Sequence, residues 1–294
     1  MKKIFKNKKT LILFLIVVLV IIFTVLLVIT YNNNKSKQQD THLSDEEKNI
    51  VNIENISKES TEKKVYKSLN VSLPIFMYHF ILDDYGENLD VENFVKPSTL
   101  EEQLKYIVDN GYQTVFVNEI EDLSNYTKPV ALTFDDCFVY FYNNAFPLLK
   151  KYNQKASIYI ICNYVNGPNY LTTEQIQEMV DSGLVSVQTH TLSHRELTSL
   201  SLEEMEKELV ESKKYLESTY NISVDTVCYP IGKYNKNVIN VAKENYKYGL
   251  AMTGGVYYSN KHNLYEIPRI YANRSMTITQ FANYLKKSNV EIIY

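Results

Sequence analysis

The chain has 294 residues, 45% of them hydrophobic and 22% charged, with a formal net charge of -3 at pH 7. That length holds one large domain or two modest ones with a substantial core, and the charge gives no reason to expect a nucleic acid partner. Only Arg195, Arg269 and Arg274 are arginines, so a bidentate phosphate-reading surface is poorly supplied.

Residues 1–10 form a lysine-rich head, and the uncharged run Leu11 to Thr30 follows it. At about 1.5 Å per residue this run matches a hydrocarbon core of about 30 Å. A cleaved signal peptide would be shorter and end on small residues, whereas this run continues into TYNNNKSK, so an uncleaved anchor is expected. The lysines before it should stay cytoplasmic. The expected location is the cell membrane, crossed once, with the rest of the chain outside the cell. Residues 31–70 are rich in Asn, Lys, Glu and Ser and read as a disordered stalk, with a capping box at Ser44 and Glu47 allowing one short helix. Residues 71–294 read as the folded domain.

Within that domain SLPIFMYHF is a predicted strand. Ser98 is the expected cap of the helix TLEEQLKYIVDNG, with Glu101 completing a capping box and Gly111 suited to its end. PVALTFDD is a strand, and the helix YNNAFPLLKKY is limited or kinked by Pro147. ASIYIIC is a strand, Thr172 caps TEQIQEMVDSG, and LVSVQTH is a strand. Ser201 with Glu204 opens the long helix LEEMEKELVESKKYLESTY. VDTVCYP, YGLAMT and YEIPRIY are further strands, with NKNVINVAKENY and TITQFANYLKK as helices. The alternation implies a parallel sheet covered by helices, in a (β/α) barrel or an open doubly wound sheet. No glycine-rich turn follows the first strand, which weighs against dinucleotide binding. Cys137, Cys162 and Cys228 are too few and scattered for a disulfide framework and read as structural thiols.

Three predicted strands end on groups that bind metal or move protons: His79, the pair Asp135 and Asp136, and His190 with His194 four residues later. Singly each has a plain reading, as a core histidine, an acidic turn or a polar loop. Parallel strands would bring all of them to one rim. Two imidazoles and a carboxylate suit a divalent ion such as Zn²⁺. Neighbouring residues of an extended chain point oppositely, so one aspartate can bind the ion while the other takes a proton from water. Such a site hydrolyses esters or amides.

TFDD followed by HTLSH resembles the first two signature motifs of the polysaccharide deacetylases, the NodB-homology group or carbohydrate esterase family 4. The resemblance implies a distorted (β/α) barrel of the NodB type, with Asp135 as catalytic base and Asp136, His190 and His194 as ligands of one divalent ion, Zn²⁺ first, with Ni²⁺ and Co²⁺ as alternatives. CYPIGKYN resembles the third motif, with Cys228 in place of an arginine and Ile231 in place of an aromatic; it implies a substrate role for Pro230 and an oxyanion-binding backbone amide at Ile231. The early YH, the YP-x-G motif and the late IPRI resemble the poly-N-acetylglucosamine deacetylases of biofilm systems, which implies His79 as the catalytic acid. Arg269 of EIPRIY is expected to supply the contact to Asp135 that Cys228 cannot. The expected activity is hydrolysis of N-acetyl groups in an extracellular N-acetylglucosamine polymer, beside machinery that makes or exports it. The rival readings are a peptidoglycan N-acetylglucosamine deacetylase and a non-catalytic carbohydrate-binding module.

Overall fold

A computed structural model of the chain describes residues 68–83, 92–136 and 138–293. The basic head, the anchor expected over residues 11–30, nearly all of the expected stalk, and Cys137 lie outside the described residues. Among the described residues no helix is long and apolar enough to cross a membrane.

The strands are β1 (Ser68–Leu73), β2 (Ile75–Tyr78), β3 (Phe80–Ile81), β4 (Phe94–Val95), β5 (Gln113–Val115), β6 (Pro129–Phe134), β7 (Ala156–Ile160), β8 (Val185–Thr189), β9 (Thr226–Cys228), β10 (Tyr248–Leu250), β11 (Tyr257–Tyr258), β12 (Ile270–Tyr271) and β13 (Asn289–Ile293). The α-helices are α1 (Pro97–Asp109), α2 (Phe146–Tyr152), α3 (Thr173–Asp181), α4 (Leu202–Tyr220), α5 (Lys236–Asn245) and α6 (Ile278–Leu285). Eight strands form one sheet in the order β10-β9-β8-β7-β6-β2-β12, with β5 also paired to β6. All its pairings are parallel. A bridge between Leu250 and Ile267 sets the chain just before β12 beside β10, so the sheet curls toward closure.

Every residue of β2, β6 and β7 is buried, as a parallel sheet covered on both faces requires. The ladder continues one residue past several strand ends. Asp135 N–H donates to Tyr78 O at 2.9 Å, His190 N–H to Ile160 O at 2.8 Å, and Ala272 N–H to Met77 O at 2.9 Å. Residues just beyond the strands therefore inherit the rigidity of the sheet.

The cap at Thr172 and the start at Ser201 with Glu204 form as expected, and both are capping boxes, Thr172 pairing with Gln175. The one at Ser98 does not: α1 starts two residues earlier, with Lys96 at the N-cap and Pro97 in the first turn. A proline already holds the φ a first helical residue needs, so it takes that place and Ser98 falls inside. Pro147 lies in the first turn of α2, downstream of a π-helical turn at Phe141–Ala145. Sequence reading missed a small antiparallel sheet, β11-β1-β13, in which the ends of the folded region pair with each other.

Candidate active site

Strand ends bring the chemical groups together at one rim. Asp135 and Asp136 follow β6, His190 follows β8, and the loop after His190 returns His194 to the same place. Asp136 Oδ1 lies 3.5 Å from His190 Nε2 and 3.6 Å from His194 Nε2. Both separations exceed a hydrogen bond. They suit donors about 2.0–2.2 Å from a shared ion, which stand about 3–3.6 Å apart. The rings of His190 and His194 sit 4.7 Å apart at 72°, an edge-on arrangement. His190 Nδ1 meets the Cys228 carbonyl at 2.8 Å; donation there fixes the tautomer and leaves Nε2 as the donor to a metal. Burial holds both imidazoles below their ordinary pKa, which keeps them neutral for ligation.

Asp135 faces the other way. Arg269, fully buried, donates through Nη1 to Asp135 Oδ1 and through Nη2 to Oδ2, each at 2.8 Å. Its remaining donors reach Thr133 Oγ1 at 3.1 Å, Cys228 Sγ at 2.9 Å and, from Nε, Ala251 O at 3.2 Å. All five guanidinium N–H groups thus have acceptors, the condition on which a charge can be buried. Burial opposes ionisation of Asp135, but the Arg269 charge and hydrogen bonds outweigh it and hold the carboxyl well below the usual carboxylate range. Cys228 donates to Asp135 Oδ2 at 3.4 Å. Asp135, His190 and Cys228 also lie close enough to share an ion. However, Asp135 is spent on Arg269, and burial keeps the thiol protonated. The Asp136, His190, His194 set is the one fitted for a metal.

His79 follows β2, next to β6. Burial lowers its pKa while the Asp135 charge works against that. Its Nδ1 is buried with no hydrogen-bond partner. Pro230 and Ile231 follow β9; Pro230 is buried and Ile231 is 55% exposed at φ 59°, a conformation costly for a β-branched side chain. The structure therefore sets Asp135 beside Arg269 and Asp136 beside the two histidines. His262, by contrast, accepts from the Tyr258 amide at 2.9 Å in the turn after β11.

The site is built on strained backbone. Among the described residues, eight other than glycine have positive φ; four are asparagines, and the others are Asp136, Thr191, His194 and Ile231. Three of those four are candidate site residues, and Thr191 lies between the two histidines. Such strain persists only where surrounding contacts enforce it. Thr191 Oγ1 accepts from the His194 amide at 3.2 Å. Buried Glu208 of α4 accepts from the Ser193 amide at 2.9 Å and from its hydroxyl. Sequence reading missed Glu208. Its signal is register: it shares the helix face of the buried residues Met205, Leu209, Ser212 and Leu216, where an acid has no place without a partner.

The family model described as Polysaccharide deacetylase matches residues 123–249. YxkH of Bacillus subtilis, provisionally named a polysaccharide deacetylase, is 32% identical over 220 residues, covering 73% of this chain and 76% of its own. The poly-beta-1,6-N-acetyl-D-glucosamine N-deacetylase of Staphylococcus aureus is 28% identical over 214 residues, covering 66% of this chain and 73% of its own. The solved structure of the Streptococcus pyogenes deacetylase PplD in complex with acetate superposes with a TM-score of 0.69 at 31% identity, covering 74% of this chain and 99% of that one.

Proposed function

The chain belongs to the polysaccharide deacetylase family, and from that premise we propose that it hydrolyses N-acetyl groups of N-acetylglucosamine residues in an extracellular polymer of the poly-N-acetylglucosamine type. The carrying observation is the division of labour between adjacent acids: Asp135 clamped by Arg269, and Asp136 grouped with His190 and His194. The Staphylococcus aureus relative supports the choice of polymer.

A divalent cation held by Asp136, His190 and His194, Zn²⁺ by preference, would supply Lewis acidity, bringing the pKa of water toward about 7 and polarising the acetamide carbonyl. Asp135, ionised and locked by Arg269, takes a proton from water as it attacks that carbonyl. The Ile231 amide, on its exposed turn, donates to the developing oxyanion, with Pro230 fixing the approach. His79 protonates the departing nitrogen, because a sugar amide anion is too basic to leave alone. The acyl carbon–nitrogen bond breaks, water supplies the carboxylate oxygen, and acetate and a glucosamine residue depart. The uncharged run at residues 11–30, with lysines before it, supports a single-pass anchor facing this domain outward toward the polymer and its export machinery.

The test is acetate release by the full-length, Zn²⁺-loaded chain from poly-N-acetylglucosamine oligomers and, separately, from peptidoglycan. Release from the oligomers, lost in Asp135→Asn and after chelation, is the expected result. His79→Ala should keep its bound metal while turnover falls by about a hundredfold or more. Release from peptidoglycan alone would move the substrate to the cell wall, and no Asp135-dependent release from either would refute the activity.

A further inference from the structure

The Ile231 amide is presented by a turn, Pro230–Gly232, in which two consecutive residues are left-handed: Ile231 at φ 59° and Gly232 at φ 66°. Gly232 N–H donates to Tyr229 O at 2.9 Å, and Lys233 N–H to Pro230 O at 3.1 Å. A side chain from the neighbouring strand end packs on this turn. A β-carbon added to Gly232 would stand 2.7, 2.8 and 3.0 Å from Cβ, Cγ and Sδ of Met252, so that side chain lies directly against the Gly232 backbone. Met252 comes soon after β10, and Ala251 before it is fixed at both backbone groups. Its N–H donates to Ile267 O at 2.9 Å, and its carbonyl accepts from Arg269 Nε at 3.2 Å. Apolar bulk anchored at the rim thus braces a strained turn, and such strain persists only while its surroundings enforce it.

The thioether that does this is open to solvent. Met252 is 42% exposed, whereas Met77, Met179 and Met205 are buried and Met276 is half-buried; Met1 lies outside the described residues. Oxidation of a side-chain sulfur follows its access to the oxidant. The buried thiols compete poorly, because the thiolate is the reactive form and burial pushes Cys162 up to about 12 and Cys228 well above its ordinary pKa. A methionine sulfoxide is polar and chiral, and it no longer packs as the flexible apolar side chain it replaces. At position 252 the new oxygen would be carried by the atom that stands beside Gly232.

We propose that Met252 is a modification site, at which a peroxide converts the thioether to the sulfoxide and thereby slows turnover by loosening the Pro230–Gly232 turn. The sulfur lone pair attacks one peroxide oxygen, the sulfur–oxygen bond forms as the oxygen–oxygen bond breaks, and water leaves. Sulfur gives up two electrons and the peroxide takes them. The proposal rests on the reading given under Proposed function, in which the Ile231 amide meets the developing oxyanion. A donor swung off that position stabilises the transition state less while substrate binding in the ground state is little changed, so the loss falls on kcat. Met252 is a positioning residue in this scheme, acting on the reaction through the turn.

The experiment treats the full-length, Zn²⁺-loaded chain and its Met252→Leu variant with hydrogen peroxide, maps the oxidised peptides by mass spectrometry, and follows acetate release from poly-N-acetylglucosamine oligomers. Sulfoxide should form at Met252 before it forms at Met276 or at the buried methionines. In wild type kcat should then fall about tenfold, with KM and bound Zn²⁺ within about twofold of their untreated values. Methionine sulfoxide reductase should restore the rate where dithiothreitol alone does not, and Met252→Leu should keep its own untreated rate at the same dose. Complete sulfoxide at Met252 with kcat unchanged, an equal loss in Met252→Leu, or a loss the reductase leaves in place would overturn the proposal. The untreated rate tests the deacetylase reading separately. Hydrogen exchange reads the turn without turnover: the Gly232 amide, bonded to Tyr229 O, should exchange about tenfold faster in the sulfoxide form. Unchanged exchange there would overturn the proposal even if no oligomer were a substrate.

Discussion

Arg269 is the least expected residue to find completely buried, and its five satisfied donors explain how it can be. IPRI and the cysteine at position 228 made its partnership with Asp135 legible in the sequence. Thr133 and Ala251, which complete the set, were not legible, because nothing local marks a buried residue as an acceptor for a particular side chain elsewhere in the chain, 136 positions away for Thr133 and 18 for Ala251. Arg269→Met should cost about 3–5 kcal/mol at pH 7 by leaving the Asp135 carboxylate buried and unpaired. Because the native carboxyl is held below its unfolded value of about 4, the pair's contribution is complete above that pH and fades as pH falls toward the native value. Denaturant melts of wild type and variant should therefore converge below pH 4, and a gap that stayed constant or widened there would contradict the assignment.

Among the elements, those announced by side-chain chemistry were read well. Ser201 with Glu204 marks the start of α4, the apolar run of β7 marks a buried strand, and the apolar strands β6 and β8 carry their acids and histidines at their ends. Ser98 misled because its motif competed with Pro97, a conflict that local preference alone does not resolve. Helix α4 does more than cover the sheet, since Glu208 ties down the loop between His190 and His194. Glu208→Ala should weaken Zn²⁺ affinity about tenfold or more in chelator competition on the full-length chain, and Glu208→Gln, which keeps an acceptor for the Ser193 amide, should recover most of it. If Glu208→Ala lowered Tm with Zn²⁺ affinity unmoved, the residue would serve packing only.

Across the folded region as a whole, the parallel sheet was legible because strand and helix alternate, whereas the small sheet β11-β1-β13 was not. Its strands are short or half exposed, and β1 pairs with β13 from the opposite end of the domain, a contact no local pattern announces. Removing residues 289–293 should lower Tm by about 5 °C while kcat/KM on oligomers stays within about twofold. An equal loss of both would mean that the small sheet supports the site directly. The left-handed turns at Asp136, Thr191, His194 and Ile231 bear on anyone who would transplant this chemistry. Copying the acids and imidazoles onto another scaffold would carry the reagents without their aim, because unconstrained loops relax to ordinary φ and swing the donors off target. What has to be moved is the frame: the strand ends, the Thr191 and Glu208 anchors, and the twist they hold in place.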